Sequence, residues 1–396
     1  MRITLVTEYL APEGKSPLGG VDALTLNLAR QLAKNNDVHI VTCYLEGTER
    51  LEKSGLVTVH RVGQMRQHLQ RGDFLKRIYF NNSISSTLQM IKPDIVNALG
   101  LVSFKGSYEG AKKLGVPCIA TVAEVWQGEW IRNMGIINAL VGHFVEKAYF
   151  NYPYDKYIAI SNFTKDKMIS KLHIPEDSID VIYCGVDTSQ YESVKVNGKY
   201  ENPTILTICR LVEYKHVDDL IRAIKLLSSD FPEIHLNVVG VGPKEGELKS
   251  LAAELEIGSN ITFMGKIDDN TEMIEMIKKS HVFALPSVVE GFGIVTIEAM
   301  VSGTPYVASD ILPIREVTNG GIGGLLSKPR DYGDLAEKLK ELLVDEGIRE
   351  EKIREGKIFA QKYDWRNICQ DLEGLYKSAI MTSDKNKLKS TKRGLL

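Results

Sequence analysis

Short runs rich in β-branched residues recur along this chain, each followed by a turn and a stretch of helical periodicity, and that alternation is the sequence form of parallel βαβ construction. It restricts the chain to α/β folds. In the first half Ile3 to Thr7, Val38 to Thr42, Asp94 to Asn97, Cys118 to Val122 and Tyr157 to Ile160 read as strands. Val21, Leu24, Leu28 and Leu32, three or four residues apart, mark a helix over Val21 to Ala33. The second half restarts the series with Thr204 to Ile208, His235 to Val239, Ile261 to Phe263, Val282 to Leu285 and Tyr306 to Ala308. Between the first two of these, Val217, Leu220, Ile221, Ile224 and Leu227 form one apolar helix face.

At 396 residues the chain exceeds the size at which single cores stop growing, so the two series predict two doubly wound domains. Tyr191 to Asn202 is polar, contains Gly198 and lacks periodicity, which predicts a linker at 191–202 between domains at 1–190 and 203–365. A C-terminal helix over 366–380 is expected to return to the first domain. Residues 381–396, with Lys385, Lys387, Lys389, Lys392 and Arg393, read as a basic flexible tail.

Charge excludes some partners. Lys plus Arg number 49 against 51 Asp plus Glu, a net charge of -2, so no global field favours nucleic acid. Cys43, Cys118, Cys184, Cys209 and Cys369 are scattered singly, without the spacing of a zinc site or a disulfide framework, which suits a reducing cytoplasm. The N-terminal run is too short for a signal peptide, and no later apolar run is long enough to span a bilayer.

The densest chemical signal is the segment from Leu285 to Met300, where a strand ends, a glycine turn follows and a helix begins. Gly291 and Gly293 allow close backbone approach, and free N–H groups from Phe292 through Ile294 to Val295 form a helix start suited to a phosphate. Glu298, in the second turn, leans back toward a ribose whose diphosphate sits there, while Glu290 would face a sugar. Solvated glutamates are the bland alternative, weakened for Glu298 by the apolar run Ile294 to Val301 around it. A second cluster, Thr207 to His216, carries Arg210 and Lys215 beyond a strand, where they would neutralise a departing diphosphate. Two surface cations are the bland reading. Gly240-Val241-Gly242 and Met264-Gly265-Lys266 are glycine turns after strands, and Gly19-Gly20 opens the first helix after a long loop. Each is weak alone.

Together these clusters resemble the retaining GT-B glycosyltransferases of family 4, the glycosyl transferases group 1, over nearly the whole chain. Arg210 and Lys215 match the family's basic pair, Glu290 and Glu298 its two glutamates, and Gly19-Gly20 its N-terminal glycine loop. Pro93 to Val96, Ile160 to Asn162, Ile182 to Asp187 and Ser302 to Pro305 match as well. The resemblance implies a GT-B fold, two Rossmann-like domains facing a central cleft, and an enzyme moving a hexose from a UDP- or GDP-sugar to a glycan, lipid-linked or small-molecule acceptor with retention. Glu298 would hold the ribose, Glu290 the hexose, Arg210 and Lys215 the diphosphate. Gly20 would approach the phosphate, and loops at Gly242, Gly265 and Lys266 would line the base. It implies no metal and no further cofactor.

The acceptor side departs from the pattern. Many members carry a histidine after the strand matching Cys118 to Val122, where this chain has Ala123 and then Glu124, and Asn97-Ala98-Leu99 stands where others have histidines. Glu124, followed by Trp126, is expected to take part of the missing role. The other readings are a nucleotide-sugar epimerase of the same architecture and a non-catalytic nucleotide-sugar-binding subunit. Arg66 to Tyr79 interleaves cations with Leu69, Phe74, Leu75 and Ile78, which reads as an exposed amphipathic helix interrupted at Gly72-Asp73 or, more sharply, as a peripheral contact with the inner face of a membrane.

Overall fold

The computed structural model describes residues 1–393 apart from 16, 18, 67–73, 126 and 128–135. The first half forms β1 (Arg2–Thr7), β2 (Asp37–Leu45), β3 (Leu51–Ser54), β4 (Val57–Arg66), β5 (Ile95–Leu99), β6 (Cys118–Val122), β7 (Lys156–Ala159) and β8 (Ile179–Val181), of which β1, β2, β5, β6 and β7 are the five β-branched runs expected from the sequence and β3, β4 and β8 are additional. Among the described residues they form one sheet in the order β3-β4-β2-β1-β5-β6-β7-β8, parallel except for the β3–β4 pair. The second half supplies β9 (Thr204–Ile208), β10 (His235–Val239), β11 (Ile261–Gly265), β12 (Val282–Leu285), β13 (Tyr306–Ser309) and β14 (Gly324–Ser327). These form a separate sheet, β11-β10-β9-β12-β13-β14, parallel throughout. Every residue of β5, β6, β12 and β13 is buried, as strands covered by helices on both faces require.

The chain divides into Met1–Cys184 with Trp365–Leu396, and Gly185–Asp364. The first crossing thus falls before 191–202, and that segment packs on the second unit instead of linking two. Tyr191 is 5% exposed. Lys199 Nζ donates to the Ser280 carbonyl at 2.8 Å, and Tyr200 N–H to the Lys279 carbonyl at 2.9 Å. A polar segment without periodicity can still be anchored by one aromatic side chain and a few backbone bonds, which composition does not reveal.

The helix Trp365–Arg393 belongs to the first unit, where Trp365, Ile368, Leu372 and Tyr376 join Leu28 and Leu32 of the helix Gly20–Leu32 in one core. Its Tyr376 hydroxyl accepts from Asn97 Nδ2 at 2.6 Å, and Asn97 Oδ1 accepts from the Thr121 hydroxyl at 2.7 Å. A buried chain of three polar groups is thereby satisfied. The helix continues through 381–393, the stretch expected as a flexible tail.

The segment from Arg66 also differs from expectation. Arg66 ends β4 and is 2% exposed, with Nη1 2.8 Å from Glu8 Oε1. It belongs to the interior because the loop after β1 supplies the carboxylate that a buried guanidinium needs. Residues 67–73, including Leu69 and Gly72-Asp73, lie outside the described residues, and a helix runs over Phe74–Ile91. Among the described residues no helix is long and apolar enough to cross a membrane.

Candidate functional site

In the second unit β9 lies between β10 and β12, so the chain reverses its direction of sheet growth at the β9/β12 neighbours. In open parallel sheets such a switch point separates the loops at the carboxyl ends of the two strands and opens a crevice for a ligand. The two loops here are 209–216 and 286–293, the ones that carry Arg210, Lys215 and Glu290.

Beyond β9 the chain makes a short 3-10 turn over Glu213–Lys215 and leaves it through His216 at φ 49°. Lys215 Nζ lies 2.6 Å from Glu290 Oε1, the side chains being 15% and 11% exposed. Burial disfavours the ammonium, yet the adjacent carboxylate outweighs it, and the Lys215 pKa moves upward. The loops are also joined through their backbones, Val288 N–H donating to the Tyr214 carbonyl at 3.0 Å. Arg210 is exposed, and its Nη2 donates to the Tyr214 hydroxyl at 2.5 Å.

Two glycines beyond β10 press this arrangement together. A Cβ at Gly240 would lie 1.8 Å from the Cys209 carbonyl oxygen, and one at Gly242 2.2 Å from that of Leu211. Leu211 N–H donates to the Val241 carbonyl at 3.1 Å, and Lys244 N–H to the Leu211 carbonyl at 3.0 Å. Gly242 therefore supports the Arg210 loop from behind through backbone contact.

After β12 the turn enters the helix Ile294–Ser302 through Gly293, at φ 85°. A Cβ there would also lie 2.4 Å from Ile314 Cδ1, a side-chain tip that can give way, so it is the positive φ that calls for glycine. The Phe292 ring, 5% exposed, packs edge-on against Tyr363 at 5.8 Å, which fixes the turn between Gly291 and the helix start. Ile294 and Val295 open the helix with partly exposed side chains, and Thr296 N–H is already taken by the Gly293 carbonyl. Glu298 is half-buried; desolvation raises its pKa, and a hydrogen bond from Tyr191 opposes that rise. Burial, together with that same carboxylate, drives the Tyr191 pKa well up, so the phenol remains the donor.

Of the remaining predicted residues, Gly265 has φ 67°, and a Cβ added there would meet nothing within 4 Å, while Lys266 pairs with Asp268 at 2.8 Å. In the first unit Gly19 precedes the helix Gly20–Leu32, with open space around both glycines, and Glu124 is an exposed residue just beyond β6. Trp126 lies outside the described residues. Among the described residues one group has metal-ligating geometry, His216 with Asp218 and Asp219, but His216 Nδ1 lies 3.0 Å from Asp219 Oδ2 and Arg222 binds Asp218 at 2.6 Å. Sequence reasoning passed over Tyr191 and Tyr214. The signal for each was an aromatic residue inside a polar loop, one in the expected linker and one between the two cations.

These features define an α/β protein of two parallel-sheet units, the second of which brings the loops after β9 and β12 together at its switch point. Residues 189–358 match the family Glycosyl transferases group 1, and residues 18–190 match Glycosyltransferase Family 4. The chain belongs to the GT-B glycosyltransferases of family 4. An uncharacterised glycosyltransferase of Methanocaldococcus jannaschii is 29% identical over 56% of this chain and 60% of its own length. A second from the same organism is 26% identical over 94% and 98%. The structure of Anabaena HepE in complex with UDP-glucose shares the fold, with a TM-score of 0.75 at 17% identity over 96% of this chain and 100% of that one.

Proposed function

We propose that the chain is a retaining glycosyltransferase that moves a hexose from a nucleoside-diphosphate sugar to a glycan, lipid-linked or small-molecule acceptor. The reading rests on one observation above the rest: a lysine–glutamate pair at 2.6 Å at the switch point, beside a glycine-opened helix start. Each component has a counterpart in the donor. Lys215 and Arg210 face the charge that grows on the departing diphosphate, and the helix start adds oriented N–H groups. Glu290, already holding the Lys215 ammonium, offers its remaining acceptor capacity to the sugar hydroxyls. Glu298, oriented by Tyr191, accepts from the ribose. Gly19, Gly20, Gly242, Gly265 and Lys266 are assigned to the surroundings of the donor.

In the transfer, the bond between the sugar C1 and the phosphate oxygen breaks as the acceptor oxygen bonds to C1 from the same face. The acceptor proton passes to the departing phosphate, so no dedicated protein base is required, and Arg210, Lys215 and the helix start are assigned the charge neutralisation that a metal would otherwise supply. Glu124 is assigned to the acceptor side, and Glu124→Gln should lower turnover while leaving donor affinity intact. HepE forms a complex with UDP-glucose, which makes that donor the first to try. Purified protein is incubated with UDP-glucose or GDP-mannose and an acceptor panel, and the anomeric configuration of the product is read by NMR. Transfer with retention is expected. Recovery of an epimerised donor, or inversion at C1, would overturn the reading.

A further inference from the structure

Tyr214 stands between the two cations assigned to the leaving diphosphate, and it engages each of them through a different part of its side chain. Its hydroxyl accepts from Arg210 Nη2 at 2.5 Å. Its ring lies 5.7 Å from Lys215 Nζ, within cation–π range. Its carbonyl accepts from Val288 N–H at 3.0 Å, which ties the loop after β9 to the turn that carries Glu290. Arg210 is exposed, and among the described residues Tyr214 is the side chain that holds its guanidinium. A free arginine side chain loses rotamer entropy when it is fixed on a ligand. An arginine already held by a neighbour has lost much of that freedom beforehand.

We propose that Tyr214 is a positioning residue for diphosphate recognition: its hydroxyl pre-orients the Arg210 guanidinium toward the crevice while its ring flanks the Lys215 ammonium. The inference rests on the assignment of Arg210 and Lys215 to a nucleoside diphosphate. The hydroxyl leaves one edge of the guanidinium for the tyrosine and the other N–H groups for phosphate oxygens, a division that a planar five-donor group permits. Tyr214 itself acts only through Arg210 and Lys215.

The test is a double-mutant cycle on the full chain, with UDP and GDP as probes and affinity measured by calorimetry. Tyr214→Phe keeps the ring and removes the hydroxyl, and should weaken binding of the preferred diphosphate by about five- to tenfold, the worth of one ordinary hydrogen bond at a solvent-exposed group. In an Arg210→Ala background the same change should have no further effect, because the group it orients is gone. A thermal melt of each variant checks that the fold persists, and Tyr214→Trp, which retains a ring but offers no acceptor to the Arg210 guanidinium, should not restore affinity. Equal losses in both backgrounds, or unchanged binding by Tyr214→Phe, would overturn the inference while the transferase reading stands. Failure of the wild type to bind either diphosphate would remove both.

Discussion

Replacing Lys215 by Met removes a charge and keeps most of the stem, and the geometry separates what this does to stability from what it does to turnover. The Glu290 side chain is 11% exposed, so the variant leaves a carboxylate largely out of water without its cation. Breaking a buried pair from one side costs ~3–5 kcal/mol, and the residual exposure of both groups reduces this to ~2–3 kcal/mol here. In a unit of this size that corresponds to a fall of ~5–10 °C in melting temperature. Adding Glu290→Gln removes the orphaned charge, so Lys215→Met/Glu290→Gln should regain most of the lost stability. Turnover should not follow. Both variants lack the Lys215 ammonium and leave Arg210 as the remaining cation assigned to the leaving diphosphate, and the loss of one such group lowers kcat by ~10²–10³-fold. Differential scanning fluorimetry gives the first quantity and initial rates at saturating UDP-glucose give the second. A double variant as unstable as the single one, or one whose turnover recovers along with its melting temperature, would refute the roles given to this pair.

Three further outcomes follow from other parts of the molecule. His39 Nδ1 and His60 Nε2 lie 3.0 Å apart on neighbouring strands, and burial first, then His39, pushes the His60 pKa down to about 4. The unfolded chain therefore takes up the proton first, so stability should fall by on the order of 2 kcal/mol as the pH drops from ~6.5 to ~4, allowing for partial exposure, and His60→Gln should flatten that limb of a urea titration. Tyr191→Phe removes the donor to Glu298 and should cost ~1 kcal/mol of stability and several-fold in donor affinity; unchanged calorimetric affinity would detach Glu298 from the ribose. Gly242→Ala forces a Cβ to within 2.2 Å of the Leu211 carbonyl oxygen. It should lower the urea midpoint by the equivalent of ~3 kcal/mol or more, whereas Gly265→Ala, strained at φ 67° but meeting nothing, should cost ~1–2 kcal/mol. Equal effects of the two would contradict the packing role of Gly242.

Much of the architecture is legible because it depends on short-range periodicity. The strand series, the helix faces at Leu28 and Leu32 or at Leu220 and Ile224, and the glycine-opened helix at Ile294 are all written within a dozen residues. The β3–β4 hairpin escapes such a reading because β3 is a short edge strand, LEKS, with no buried alternation. Tyr191 escapes it because a lone aromatic in YESVKVNGKYEN has no period to announce it, and its partner Glu298 comes from a helix far along the chain. Arg66 is hidden for a similar reason. Its burial depends on Glu8, which only the closing of the sheet brings near.

From the amino-acid order alone came the α/β class, the two series of strands and the kinds of side chain that each loop after a strand would present, because local period and residue chemistry are properties of neighbours in the chain. Tertiary structure decided which of those side chains meet. Lys215 and Glu290 are 75 positions apart and become a pair at 2.6 Å only because β12 lies beside β9 while β10 is sent to the other side. That choice is made by hydrogen bonding between strands and by covering both faces of the sheet, and a linear pattern of residues carries no record of it.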